Sequence, residues 1–175
     1  DEQTLGVAVA MHDFQNLQSH TILGSSATNT TYSSAGTRYT YGYKPMVVDV
    51  AFTTPVAGKP LVASVEYVRN TNSDVTDDKD GYMVGVKYGS LKEKGDYALS
   101  YDYRVIKKDA TVSVFTDGDS FGGGTNGNSH RLVASYQESK NMTANLCYFM
   151  GKSGIASGDT SVARNKLDAE VVVKF

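Results

Sequence analysis

Hydrophobic and polar residues alternate with a period of two along most of the chain, and eight segments carry the pattern. The first sets Leu5, Val7, Val9 and Met11 against Gly6, Ala8, Ala10 and His12. The same alternation runs through Met46–Thr53, Leu61–Val68, Gly81–Tyr88, Tyr97–Arg104, Arg131–Gln137, Met142–Phe149 and Lys166–Phe175. Successive side chains of a strand point to opposite sides, so each segment predicts a strand with one aliphatic and aromatic face. The other face mixes small, polar and charged residues. No segment shows the 3.6-residue period of a helix.

The connections alternate in length. Short ones are expected at Thr54 to Pro60, Gly89 to Gly95 and Glu138 to Asn141. Long polar ones are expected at Gln15 to Arg38, Asn70 to Asp80, Thr116 to Asn128 and Lys152 to Ala163. In an antiparallel meander this puts every long loop at one end of the sheet and every tight turn at the other. Outer-membrane barrels have this asymmetry, with short periplasmic turns and long external loops. An even strand count then leaves both chain ends periplasmic.

Composition fits that reading. The chain of 175 residues has 12 Tyr and 17 Gly but only 3 Pro and no Trp, a balance that favours strands and turns. Its hydrophobic content of 40% would suit a soluble protein. A barrel strand, however, turns only every second residue to lipid, so bulk hydropathy does not exclude a membrane. No apolar run reaches the roughly 18 residues of a spanning helix, and no cationic, leucine-rich segment opens the sequence. A formal charge of -2 argues against nucleic acid as a partner. The single cysteine, Cys147, excludes an internal disulfide framework.

Alternation alone does not say whether the apolar face points inward, as in a soluble lipocalin-like barrel, or outward to lipid. Aromatic placement favours lipid. Phe52, Tyr88, Tyr136 and Phe175 close descending strands and Tyr97 opens an ascending one, while Tyr67, Tyr82, Tyr103 and Tyr148 lie at the opposite ends. Two aromatic girdles bracketing an aliphatic band are what the two membrane–water interfaces select. The polar face carries Asp49, Glu66, Lys87, Asp102, Arg104, Arg131, Lys166, Asp168, Glu170 and Lys174, the expected lining of a lumen.

The stretch Gly95 to Phe149 and the ending Lys166 to Phe175 resemble a porin family of Gram-negative bacteria. The matching elements are Gly95-Asp96 before an aromatic, Tyr101-x-Tyr103-Arg104, Asp117-x-Asp119 leading into Gly122 to Gly124, His130-Arg131-Leu132, and the closing Asp168 and Phe175. Gly58 to Asn70 and Gly81 to Lys87 are similar as well. The resemblance implies an all-β, antiparallel, up-and-down transmembrane β-barrel in the bacterial outer membrane. It implies passive diffusion of small hydrophilic solutes and ions, with no cofactor and no enzymatic chemistry. Members of the family are longer, with the matched part at their C-terminus, so these eight strands are expected to form part of a barrel of about 16 strands. The implied partners are outer-membrane lipid and lipopolysaccharide, the barrel-assembly machinery engaging Phe175, and two further copies in a homotrimer. The rivals are a closed eight-stranded barrel with a structural or adhesive role and a soluble lipocalin-like binding barrel.

Candidate chemistry is sparse. His12, His20 and His130 stand in no nucleophile or metal-ligand spacing. Asp74, Asp77, Asp78 and Asp80 share one loop but lack the glycine and terminal glutamate of a calcium loop, and read as a solvated acidic loop. Gly122-Gly123-Gly124 has no following Lys-Ser/Thr and is expected to let a loop turn sharply, back toward the lumen. Cys147 takes polar-face parity and is expected to be buried. Over Ile106 to Phe115 the alternation changes phase, which leaves a bulge, a strand extension and an inward-folded constriction all open.

Overall fold

The computed structural model describes residues 2–23, 28–32 and 37–175. Parts of the long connection expected at Gln15 to Arg38 therefore lie outside the described residues. The strands are β1 (Thr4–Met11), β2 (Thr31–Tyr32), β3 (Arg38–Tyr39), β4 (Pro45–Val56), β5 (Lys59–Asn70), β6 (Asp80–Gly89), β7 (Tyr97–Ile106), β8 (Gly127–Ser139), β9 (Met142–Ser153) and β10 (Val162–Val173). Beside them stand two single-turn 3₁₀ helices, Ser113–Phe115 and Ser120–Gly122.

β1 and β4 to β10 make one eight-stranded antiparallel sheet in chain order, and β2 and β3 make a separate two-residue ribbon that the alternation does not predict. The sheet keeps strict parity across its width. One row reads Val7, Val50, Val65, Val84 and Tyr103, and its neighbour on the other face reads Ala8, Asp49, Glu66, Met83 and Arg104. A one-residue slip anywhere would put valines among the carboxylates, so the pattern itself fixes the register.

The hairpins are tighter than the sequence suggests. β4 and β5 pair up to Val56 and Lys59, leaving the two-residue turn Ala57–Gly58 in place of the connection expected from Thr54 to Pro60. Both turn residues have positive φ, 49° and 76°, the geometry whose twist matches flanking strands. Gly58 adopts it freely, whereas Ala57 bears the cost of its Cβ. β8 likewise runs on to Ser139, with a bulge between Gln137 and Ser139, so that only Lys140 and Asn141 remain between the strands.

At the other end the long loops pack on one another. β7 stops at Ile106 and the chain leaves the sheet, which resolves the phase change: Ala110 and Val112 are buried among loops. Tyr39, Tyr43 and Val112 form a small core with Phe14, Leu17 and Ile22 against it. Buried Asp109 accepts hydrogen bonds from Tyr43 Oη (2.7 Å), Thr30 N (2.9 Å) and Thr30 Oγ1 (2.5 Å). Burial first, then the Asp109 charge, pushes the Tyr43 phenol above its ordinary range. Asn70 Nδ2 bonds the carbonyls of Gly42 and Asp109, joining a third loop to the cluster.

The sheet is open: β1 and β10 are its edges and do not pair with each other. The closed eight-stranded barrel weighed as a rival is therefore not seen within this chain. The edges are bare on both faces, with Val7 63% and Leu167 64% exposed.

Candidate functional site: the polar face and its covering loop

Nine of the ten charged residues expected to line a lumen share one face of the sheet by register, with Lys174 just past the end of β10, and the aromatic residues of the expected girdles other than Phe175 share the other. At the centre of the polar face stands Asp102, 5% exposed. Arg131 Nε donates to its Oδ2 at 2.7 Å and Arg104 Nη2 to its Oδ1 at 3.3 Å. Lys166 pairs with Asp168 at 2.8 Å, and Asn145 Nδ2 donates to Glu170 at 3.1 Å. Asp49 and Glu66 are register partners, two carboxylates side by side. Among the described residues neither joins an ion pair with a cation, and nor does Lys87.

The segment after β7 folds back across this face. Arg104 Nη1 donates to Asp117 Oδ2 at 2.7 Å and Lys166 Nζ to Asp119 Oδ1 at 2.6 Å. Just after these anchors Phe121 is 1% exposed and lies over Gly127; a Cβ on Gly127 would come within 2.2 Å of its ring. The glycine at the start of β8 thus leaves the space in which the loop rests. Burial works against the Asp117 carboxylate, but the Asp119 amide, the Ser120 hydroxyl and then Arg104 and Arg131 outweigh it and hold its pKa below the usual range. The sharp turn anticipated from Gly122 to Gly124 is what the chain adopts, all three glycines having positive φ; the anchors of this loop, Asp117 and Asp119, were legible only as part of a family motif.

The apolar face carries the aromatics in two diagonal series. One register row runs Leu5, Phe52, Ala63, Val86, Tyr101, Leu132, Tyr148 and Leu167. Relative to it, Tyr88 stands one row nearer the tight turns, and Tyr97 and Tyr136 two. On the loop side, Tyr67 and Tyr82 stand two rows away and Tyr103 one, while Tyr148 lies in the row itself. Tyr148 is thus mid-strand, not at the strand end where the sequence placed it. Each series shifts by two rows, or four residues, over four strand steps: β4 to β8 for one and β5 to β9 for the other. Tyr101, which the alternation places on this face but the girdles omitted, hydrogen-bonds through its hydroxyl to His130 Nδ1 at 2.8 Å.

Cys147 lies on the polar face between Val133 and Asp168 and is half-buried, not buried as expected. Of the acidic loop, Asp80 is tied to Arg69 at 3.1 Å and accepts a hydrogen bond from Tyr67, while Asp74 and Asp77 are exposed. Among the described residues no group of three histidine, cysteine or carboxylate side chains is placed to hold a metal.

The chain is an antiparallel β-sheet protein, aliphatic and aromatic on one face and charged on the other, with a loop laid over the charges. The chain matches the family described as "Putative porin" over residues 5–175, and it belongs to that family. No curated protein and no solved structure matches it.

Proposed function

We propose that this chain forms part of the wall of an outer-membrane porin, through which small hydrophilic solutes and ions diffuse passively. The observation that carries the reading is the diagonal drift of the aromatic series. One residue per strand, at a rise of about 3.3 Å and a strand spacing of about 4.8 Å, corresponds to a tilt of about 35°. Strands of outer-membrane barrels lean by roughly 35–45° from the membrane normal. Residues at one membrane depth must then step across the register, as these do. A soluble barrel imposes no such order on the aromatics of its apolar face.

The charged face lines the lumen and the loop from Asp117 to Asn126 narrows it. Eight strands close only on a space that side chains fill, so an aqueous pore draws on further strands pairing with β1 and β10, about 16 in all. The partners are outer-membrane lipid and the barrel-assembly machinery, which engages Phe175 on the lipid side; Phe175→Ala lowers insertion in cells, and undiminished insertion removes that role. A homotrimer is the assembly state to test by native mass.

Single-channel recording in planar bilayers tests the function. The protein with all its strands conducts small cations and anions with weak selectivity; a silent protein that inserts normally favours a structural anchor instead. A monodisperse, detergent-free monomer with a native β signal favours the lipocalin-like reading and ends this one.

A further inference from the structure

Between the two aromatic series the apolar face is dented. Ala134 of β8 lies in one register row with Leu99 of β7 and Leu146 of β9, so a methyl group separates two much longer side chains. The result is a groove of about 390 Å³, rimmed on the loop side by Tyr101 and Tyr148. A trough of this kind has room for a flexible hydrocarbon chain that a row of equal leucines would shed.

Above the groove the same face turns polar and positive. The Tyr101 hydroxyl is held by His130 at 2.8 Å, and the Tyr103 ring lies 4.6 Å from the His130 ring. Two rows further toward the loops β9 presents Lys152, which is exposed, opposite Asn128. Just past the end of β7, Lys107 is also exposed. Among the described residues neither lysine has an acidic partner, whereas Arg69 and Lys44 of the neighbouring sector are neutralised, by Asp80 at 3.1 Å and Asp13 at 3.7 Å. Positive charge without an acidic partner thus stands above the groove.

We propose that β7 to β9 carry a docking site for one phosphorylated, multiply acylated lipid of the external leaflet, the lipid A portion of lipopolysaccharide. An acyl chain lies along Ala134 and a phosphate meets Lys152 and Lys107. The site rests on the reading of this face as membrane-exposed. Charge complementarity selects the occupant: a zwitterionic phospholipid would fill the groove but leave both lysines without a counter-charge, while basic clusters beside an apolar surface bind anionic headgroups.

The test is lipid A retention by the folded full-length chain in neutral detergent, read by native mass spectrometry, with phosphatidylethanolamine as the comparison lipid. The wild type retains lipid A over phosphatidylethanolamine. Ala134→Trp, which fills the groove, and the double variant Lys107→Glu/Lys152→Glu each lower retention by about tenfold or more. Ala134→Leu serves if the tryptophan variant does not fold. Heat-modifiable gel migration of each variant reports separately whether the membrane-barrel fold is intact. Undiminished retention in folded variants overturns the lipid site and leaves the porin reading standing. Loss of an oligomer by Ala134→Trp with lipid retention unchanged makes the groove a contact between copies and also overturns it. A wild type that is soluble without detergent removes the membrane reading and the site together.

Discussion

Arg104 donates a hydrogen bond to Asp117 at 2.7 Å, joining a strand residue of the charged face to a loop residue that follows it in the chain. The same guanidinium reaches Asp102 at 3.3 Å, and Asp102 in turn holds Arg131. The loop is therefore clasped to the sheet through a shared network rather than one isolated pair. With the Arg104 side chain only 12% exposed, the pair is shielded from the solvent that weakens surface salt bridges.

Cutting the clasp is expected to free the loop. Hydrogen bonds to charged groups contribute about 1.5–3 kcal/mol each, so Asp117→Asn shifts the loop's opening equilibrium by roughly tenfold or more. Combined with Lys166→Gln, which removes the second anchor, it raises single-channel conductance and open-state noise. Conductance identical to wild type in the double variant means that the loop does not narrow the lumen.

The two faces predict opposite tolerance at adjacent positions. Val84 pairs with Val65 and Tyr103 on the apolar face, while Met83 pairs with Glu66 and Arg104 on the charged one. Val84→Arg is expected to cost about 2–4 kcal/mol near the bilayer midplane. Met83→Arg is expected to fold nearly as wild type, beside Glu66. Unfolding in lipid vesicles measures both, and the reverse order would invert the assignment of the faces.

Acid is expected to loosen both ends of the sheet through carboxylates whose folded pKa is depressed. Such a group contributes stability that is fully present above its unfolded pKa and is lost as pH falls through the folded one. Asp117, held down by the Asp119 amide, Ser120 and Arg104 against its burial, releases the covering loop below the ordinary carboxylate range. In the turn between β6 and β7, the amides of Glu93 and Lys92, then Lys59, hold Asp96 at about 2 against an ordinary 3.8. That turn loosens between these two values. Hydrogen exchange of the Lys92 and Glu93 amides across pH 4 to 2 follows it; protection independent of pH in that window refutes the assignment.

Asp49 and Glu66 are expected to set what ion preference the wall has. The ten charges of this face balance as five cations and five anions. Pairing ties Arg104, Arg131 and Lys166 to acids, however, and leaves Asp49 and Glu66, like Lys87, without an ion pair among the described residues. Charge left unpaired at a pore wall biases permeation. The double variant Asp49→Asn/Glu66→Gln is expected to move the reversal potential in a salt gradient toward anions. An unmoved potential places the selectivity elsewhere in the protein.

The sequence alone determined the strands, their faces and the end at which the loops gather. Period-two alternation is a local property, and register follows from it because a slip of one residue would exchange Val84 for Met83 across the whole sheet. It also located the sharp turn at Gly122 to Gly124, since three glycines without a phosphate motif have little other use there. What it left undecided depends on contacts distant along the chain. The burial of Asp109 needs Thr30 and Tyr43 from another loop, and the clasp needs Asp117 and Asp119 to meet Arg104 and Lys166. Tyr148 read as a strand-end residue because alternation orders residues along one strand only. Its place in an oblique band is defined across five strands, by a tilt that only the assembled sheet possesses.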